Sequence, residues 1–94
     1  MNERDKQLKR AWRSEQRARA RAAFPIPAEE LAMLFAELAG RACDHTRTFT
    51  EAWLVEHGHD VTRTCAWLDE HHGFCDCGAA QNVRQHVDDA LASD

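Results

Sequence analysis

Two tripeptides, Cys43-Asp44-His45 and Cys75-Asp76-Cys77, set three thiols and one imidazole at alternate positions of two short segments. Thiolate sulfur and imidazole nitrogen are the usual ligands of tetrahedral zinc. Cys43, His45, Cys75 and Cys77 therefore offer a complete Cys3His set for one Zn2+ per chain. The spacings are C-x-H and C-x-C, tighter than the more common C-x2-C knuckle. A catalytic zinc keeps one position open for water or substrate, whereas four protein ligands close the sphere, so the expected ion is structural. Competing readings are ordinary buried cysteines beside a surface histidine, an iron–sulfur cluster, and a disulfide, which C-x-C would close into a strained ring. His72, three residues before Cys75, is a second histidine able to replace His45 or to bond a ligand. Asp44 and Asp76, lying between ligands, are read as orienting the knuckles. Cys65 falls on an apolar helix face and is read as a core thiol.

The elements around these pairs must bring them together. Thr48 and Glu51 form a capping-box pattern at the start of a helix that carries Phe49, Trp53 and Leu54 and ends at Gly58. Asp60 caps the next helix, which carries Val61, Cys65, Trp67 and Leu68 and ends at Gly73. The two share a near-repeat, Ala52-Trp53-Leu54-Val55-Glu56-His57 against Ala66-Trp67-Leu68-Asp69-Glu70-His71, as expected of a helical hairpin with similar faces meeting. In such a hairpin the start of one helix lies beside the end of the other, so both ligand pairs emerge at the same end.

Upstream, Asn2 is a candidate cap for a helix running to about Ala23, closed by Phe24-Pro25-Ile26-Pro27. A second helix opens at Pro27 or Ala28, buries Leu31, Leu34, Phe35 and Leu38, and stops at Gly40. Val83, Val87 and Leu91 are spaced for a short amphipathic helix near the C-terminus, and Ser93-Asp94 are expected to fray. His57 and His71 suit helix C-termini through the dipole, and Trp53 and Trp67 suit the core.

Lys6, Arg10, Arg13, Arg17 and Arg21 follow helical spacing and line one face of the first helix. That face suits a phosphate backbone, and Trp12 could stack or anchor nearby. Three readings stay open: RNA, with ribosomal RNA a candidate from charge alone; an acidic protein surface, this protein's own body in a homodimer included; or a solvated helix laced by pairs such as Glu15 with Arg19.

The 94 residues leave room for one domain plus an appendage, and a core this small often needs a metal or a partner. The formal net charge of −4 hides two opposed parts. Residues 1–23 carry eight Lys/Arg against three acids, while the remainder carries four arginines against thirteen acids. The organisation expected is a basic arm over residues 1–24 and a compact zinc-binding domain over 25–94. Neither a secretory signal nor a membrane-length apolar run is visible, so a cytoplasmic location away from membranes is expected. No glycine-rich phosphate loop, Ser/His/Asp constellation or framed carboxylate pair is present, so no enzymatic activity is expected.

Cys43-Asp44-His45-Thr46, Phe49-Thr50-Glu51-Ala52-Trp53-Leu54 and Gly73-Phe74-Cys75-Asp76-Cys77 together resemble a bacterial family catalogued only as a domain of unknown function. The resemblance runs from about Leu31 to Val83. In that family a glutamate often follows the second knuckle, where Gly78-Ala79-Ala80 stands here, and an aliphatic residue tends to occupy the position of Cys65. The resemblance supports the ligand set, implies no reaction, and does not extend to the basic helix. The expected protein is small and all-α: a helical hairpin with one or two packing helices, stapled by zinc, behind a basic N-terminal helix. Its expected role is a non-catalytic adaptor or regulator that engages RNA or a protein. The alternative is a zinc- or redox-responsive switch governed by occupancy of the Cys3His site.

Overall fold

A computed structural model describes residues 3–92 as helices joined by short turns, with no strand among the described residues. In chain order these are α1 (Glu3–Ala22), α2 (Ala28–Leu38), α3 (Thr48–Glu56), α4 (Val61–Glu70), α5 (Asp76–Gly78) and α6 (Arg84–Leu91). A π-helical turn, Ala79–Val83, joins α5 to α6, so the C-terminal segment is one helical run with a widened middle. Asn2, the candidate cap of α1, and the Ser93-Asp94 tail lie outside the described residues.

The core is built from the periodic apolar residues of each element. Leu31, Leu34, Phe35 and Leu38 of α2 are buried, as are Trp53 and Leu54 of α3 and Trp67 and Leu68 of α4. The C-terminal run closes the core with Ala79, Val83 and Val87. Of the three tail residues expected on one face, Leu91 is instead 49% exposed and Ala90 is buried in its place. Residues three and four beyond Val87 both lie near its side of a regular helix, and it is Ala90 that is covered, beside α1, where Arg21 meets its carbonyl. In the π turn upstream the Arg84 N–H reaches back to the Ala79 carbonyl.

Helix ends are set by backbone geometry more than by side-chain caps. The Asp60 carboxylate accepts from the Arg63 amide at 2.9 Å, as the sequence predicts for α4. By contrast, the capping box expected from Thr48 and Glu51 does not form. Thr48 is already helical, and the N-cap residue, Arg47, makes no side-chain cap bond. Gly40 and Gly58 take positive φ and end α2 and α3. At the end of α4 the left-handed position falls to His72 (φ 64°), not to Gly73. Gly73 is required for a different reason. A Cβ there would stand 2.6 Å from Val83 Cγ2, so the glycine lets the C-terminal run lie directly against the end of α4. Its amide donates to the Leu68 carbonyl at 2.7 Å, completing the helix-closing bond that spans the left-handed residue.

α3 packs on both α2 and α4, and α1 runs beside α6. α1 buries no residue, and Leu8 and Trp12 are 61% and 63% exposed. The chain extends 50 × 24 × 19 Å with a radius of gyration of 15.3 Å, against about 12 Å for a compact chain of this length. Glu15 and Arg19 pair at 2.7 Å on the exposed side of α1.

Between α4 and α6, the His71 and His86 rings stack at 3.7 Å with 15° between planes, and both lie near Trp67. Burial, then the neighbouring His71, holds His86 below its ordinary value of 6.5, with Asp89 opposing in part. The native state thus binds fewer protons at this group than the unfolded chain. Its contribution is fully present above the unfolded value and is lost as pH falls through the folded one. Lowering the pH from about 7.5 to about 5.5 is therefore expected to cost the wild type more stability than His86→Gln. Urea melts of both proteins at each pH check this, and equal losses would remove the role given to the stack.

Candidate metal centre

The segment before α3 and the first turn of the C-terminal run carry the ligand candidates. Cys43, Cys75 and Cys77 bring their sulfurs within 4.8 Å of one another. Cys75 and Cys77 Sγ are 3.2 Å apart. Tetrahedral zinc with Zn–S bonds of about 2.3 Å asks for sulfurs about 3.8 Å apart, close to this arrangement. The contacts that join Cys43 to the second knuckle cross more than thirty residues of chain. The hairpin of α3 and α4 makes that possible, since it returns the backbone to the end where it began.

Backbone amides aim at the sulfurs. The His45 amide donates to Cys43 Sγ at 3.3 Å, and the Cys77 amide donates to the same atom at 3.4 Å from the opposite knuckle. The Gly78 amide donates to Cys75 Sγ at 3.4 Å, making Cys75 the N-cap of the C-terminal run. The amides of Cys77 and His45 hold the Cys43 thiol below its ordinary value. Cys77 is pushed up to about 11 by its hydrogen bonds to Cys75 and Cys43. Opposed shifts are expected of crowded sulfurs competing for protons, and a bound cation relieves that competition.

The knuckles are held by two aspartates in unlike ways. Asp44 Oδ1 accepts from the Thr46 amide at 3.1 Å and the Thr46 hydroxyl at 2.5 Å, a local turn that also lowers its own pKa. Asp76 is buried and reaches across the fold. Its carboxylate accepts from the Thr50 hydroxyl at 2.6 Å, the Thr50 amide at 3.0 Å and the Phe49 amide at 3.3 Å. These amides belong to the first turn of α3. The cap missing from Thr48 is thus supplied by a residue between two cysteines of the cluster. The Asp76 amide in turn donates to the Thr46 carbonyl at 2.8 Å, so the two knuckles are also tied backbone to backbone. Arg47 adds a further strap, its guanidinium meeting Asp69 at 2.5 Å and the Cys65 and Gly73 carbonyls at 3.4 Å.

The remaining residues singled out from sequence are placed as follows. His45 is exposed at a positive φ of 68°, and its ring nitrogens do not join the group of three sulfurs within 4.8 Å. His72 is exposed, with its carbonyl accepting from Asn82 at 3.2 Å. Cys65 is buried on α4, where burial raises its thiol pKa. On α1, Lys6 and Arg10 are exposed, while Arg13 and Arg17 line a cleft against α6 with Trp12, Gln16, His86 and Asp89. Arg21 donates to the Ala90 carbonyl at 2.7 Å, in the last turn of α6. The inner part of the basic face therefore turns toward this chain's own C-terminal helix. Sequence reasoning did not anticipate the Asp76 cap, the Arg47 strap or the π turn. Only the first left a signal: an acid fixed between two clustered cysteines.

Fold and site define a small helical protein with a three-cysteine cluster that could hold a metal ion. Residues 31–82, more than half of the chain, match the family described as protein of unknown function DUF2695, and the chain belongs to that family. No curated protein and no solved structure matches it. The matched segment holds all three cysteines of the cluster and leaves α1 outside.

Replacing Asp76 with asparagine keeps its size and removes the charge that binds the α3 amides. A loss of about 1–3 kcal/mol is expected by denaturant melting. The loss should be strongly non-additive with Thr50→Val. Additive losses would show that the carboxylate acts elsewhere.

Proposed function

We propose that this protein is a non-catalytic binding module stapled by one zinc ion, whose basic helix α1 engages RNA. The observation that carries the first part is the convergence of the Cys43, Cys75 and Cys77 sulfurs, with amides from both knuckles aimed at them. Three thiolates are a soft donor set that suits zinc. His45 supplies the fourth ligand in this reading. Its amide already bonds Cys43 Sγ, and its side chain is exposed beside the cluster residue two positions earlier. With four protein ligands the ion has no position for substrate and acts on the fold alone.

Support for RNA comes from α1: eight cations against three acids in residues 1–23, with Lys6, Arg10 and Arg13 exposed. Ribosomal RNA is one candidate target, and an acidic protein surface is the competing partner. Among the described residues no helix is long and apolar enough to cross a membrane, and α1 offers few large apolar side chains to a lipid surface. A second reading, a zinc- or redox-responsive switch, is favoured by the Asp76 contacts. They couple the cluster to the start of α3, so loss of metal or oxidation of the thiolates would reach the core.

Elemental analysis of the purified protein is expected to give about one zinc per chain, reduced in Cys75→Ser and in His45→Ala, with loss of helicity on chelation. Undiminished zinc and stability in His45→Ala would put another group in the fourth position and reopen the catalytic question. An apo protein that stays fully folded would remove the switch. For α1, affinity for RNA should fall as salt rises, with a log–log slope of about −0.7 per phosphate contacted on a single strand. Salt-independent binding, or none, would sink the RNA reading.

A further inference from the structure

α1 and α6 enclose between them an open cleft of about 240 Å³. On the α1 side stand Trp12, Arg13, Gln16 and Arg17, and on the α6 side His86 and Asp89. An exposed indole is costly to leave in water and is found here beside two guanidiniums four residues apart, one helical turn. Asp89, the acid of the cleft, accepts from Gln85 Nε2 at 2.9 Å on its own helix and keeps its charge, so two guanidiniums stand against one carboxylate. The cleft thus pairs an aromatic face with a cationic wall.

Its size narrows what fits. Enclosed sites for small molecules usually measure about 300–1,000 Å³, so a free metabolite would be poorly surrounded here. A second copy of the chain is also a poor occupant. A stable interface buries about 800 Å² per partner, whereas the large apolar side chains exposed on α1 are Leu8 and Trp12 alone. One unit of a strand passing over the surface needs neither enclosure nor area. It needs a face for the base and cations for the phosphate.

We infer that this cleft is the docking point for an unpaired nucleotide of single-stranded RNA, with the base stacked on Trp12 and the adjoining phosphate held by Arg13 and Arg17. This rests on the RNA reading of α1 and makes it specific: a stacked duplex base cannot reach the indole, so single strands are preferred over duplex. Gln16 and the His86 ring lie where base edges would pass and offer polar atoms to them.

The structure also supplies the reporter. Trp53 and Trp67 are 3% and 5% exposed, and Trp67 lies 6.1 Å from the His86 ring of the cleft, so the emission change assigned to Trp12 is the part that disappears in Trp12→Phe. The full chain, zinc-loaded, is titrated at low salt with single-stranded oligouridine of about eight nucleotides, a length that spans one short site. Emission should be quenched. Trp12→Ala should weaken binding by about 5- to 150-fold, the usual range for losing one stacked base, while Trp12→Phe keeps most of the affinity. Arg13→Gln and Arg17→Gln should each flatten the salt slope by about 0.7. A blunt duplex of matched length should bind more weakly and leave the emission unchanged. Trp12 and Arg13 are exposed, so these variants fold, as circular dichroism checks; if half-buried Arg17→Gln unfolds, Arg13→Gln carries the salt test. RNA binding with unaltered emission, and with Trp12→Ala as tight as wild type, would overturn the cleft and leave the RNA reading standing. Failure of any nucleic acid to bind at low salt would overturn both and favour the acidic protein partner.

Discussion

The buried carboxylate of Asp76 is the contact on which the rest of the structure depends. It lies between Cys75 and Cys77, yet its hydrogen bonds go to Thr50 and Phe49 in the first turn of α3. A helix start presents several amides with no intrahelical partner, and a buried charge needs several donors. Each solves the other's problem. Because the flanking side chains on either side of Asp76 are sulfurs of the cluster, satisfying the α3 amides also fixes where those sulfurs point. The placement of the cluster sulfurs and the capping of α3 are thereby one constraint.

That constraint has consequences at the end of α4, which must lie against the same knuckle. Glycine would ordinarily take the left-handed position that closes the helix, but here the following residue needs to be glycine, because Val83 approaches its Cα too closely for a side chain. His72 is left with the strained position instead. The π turn belongs to the same region: Asn82, within it, bonds the His72 carbonyl, and its wide geometry presents both Ala79 and Val83 to the core. Unusual backbone thus gathers around the site, where packing of three segments over-determines it.

Much of this was legible from sequence, and the reasons are local. The Phe24-Pro25-Ile26-Pro27 break, the glycines after α2 and α3, the Asp60 cap and the apolar spacing of α2 to α4 act within one or two turns, so residue type and spacing reveal them. The hairpin argument reached further, since antiparallel helices force their outer ends together whatever the side chains do. It brought the three cysteines to one place, while the His45 ring stands outside their group. What sequence could not reveal depends on contacts made across the fold. Thr48 and Glu51 have the pattern of a capping box, but the helix starts with Thr48 already inside it, and Asp76, twenty-six residues beyond Thr50, caps it through the Phe49 and Thr50 amides. Leu91 has the right spacing for a buried stripe, but Ala90 lies as near the Val87 face at three residues, and the neighbouring α1 decides which of the two is covered.

Charge supplies the last step. Residues 1–23 are strongly basic and the remainder strongly acidic, so some attraction between α1 and the body is built into the chain. The structure distributes it unevenly. Arg21 is spent on the Ala90 carbonyl at the negative end of α6, and Arg13 and Arg17 face the cleft, while Lys6 and Arg10 do not line it. A helix that lay flat on an acidic body would neutralise its own cations. A helix that stood wholly free would have no fixed direction, since it buries nothing of its own. Anchoring the C-terminal turn through Arg21 and leaving the N-terminal turns outward is the arrangement in which a basic helix keeps both an orientation and an accessible charge.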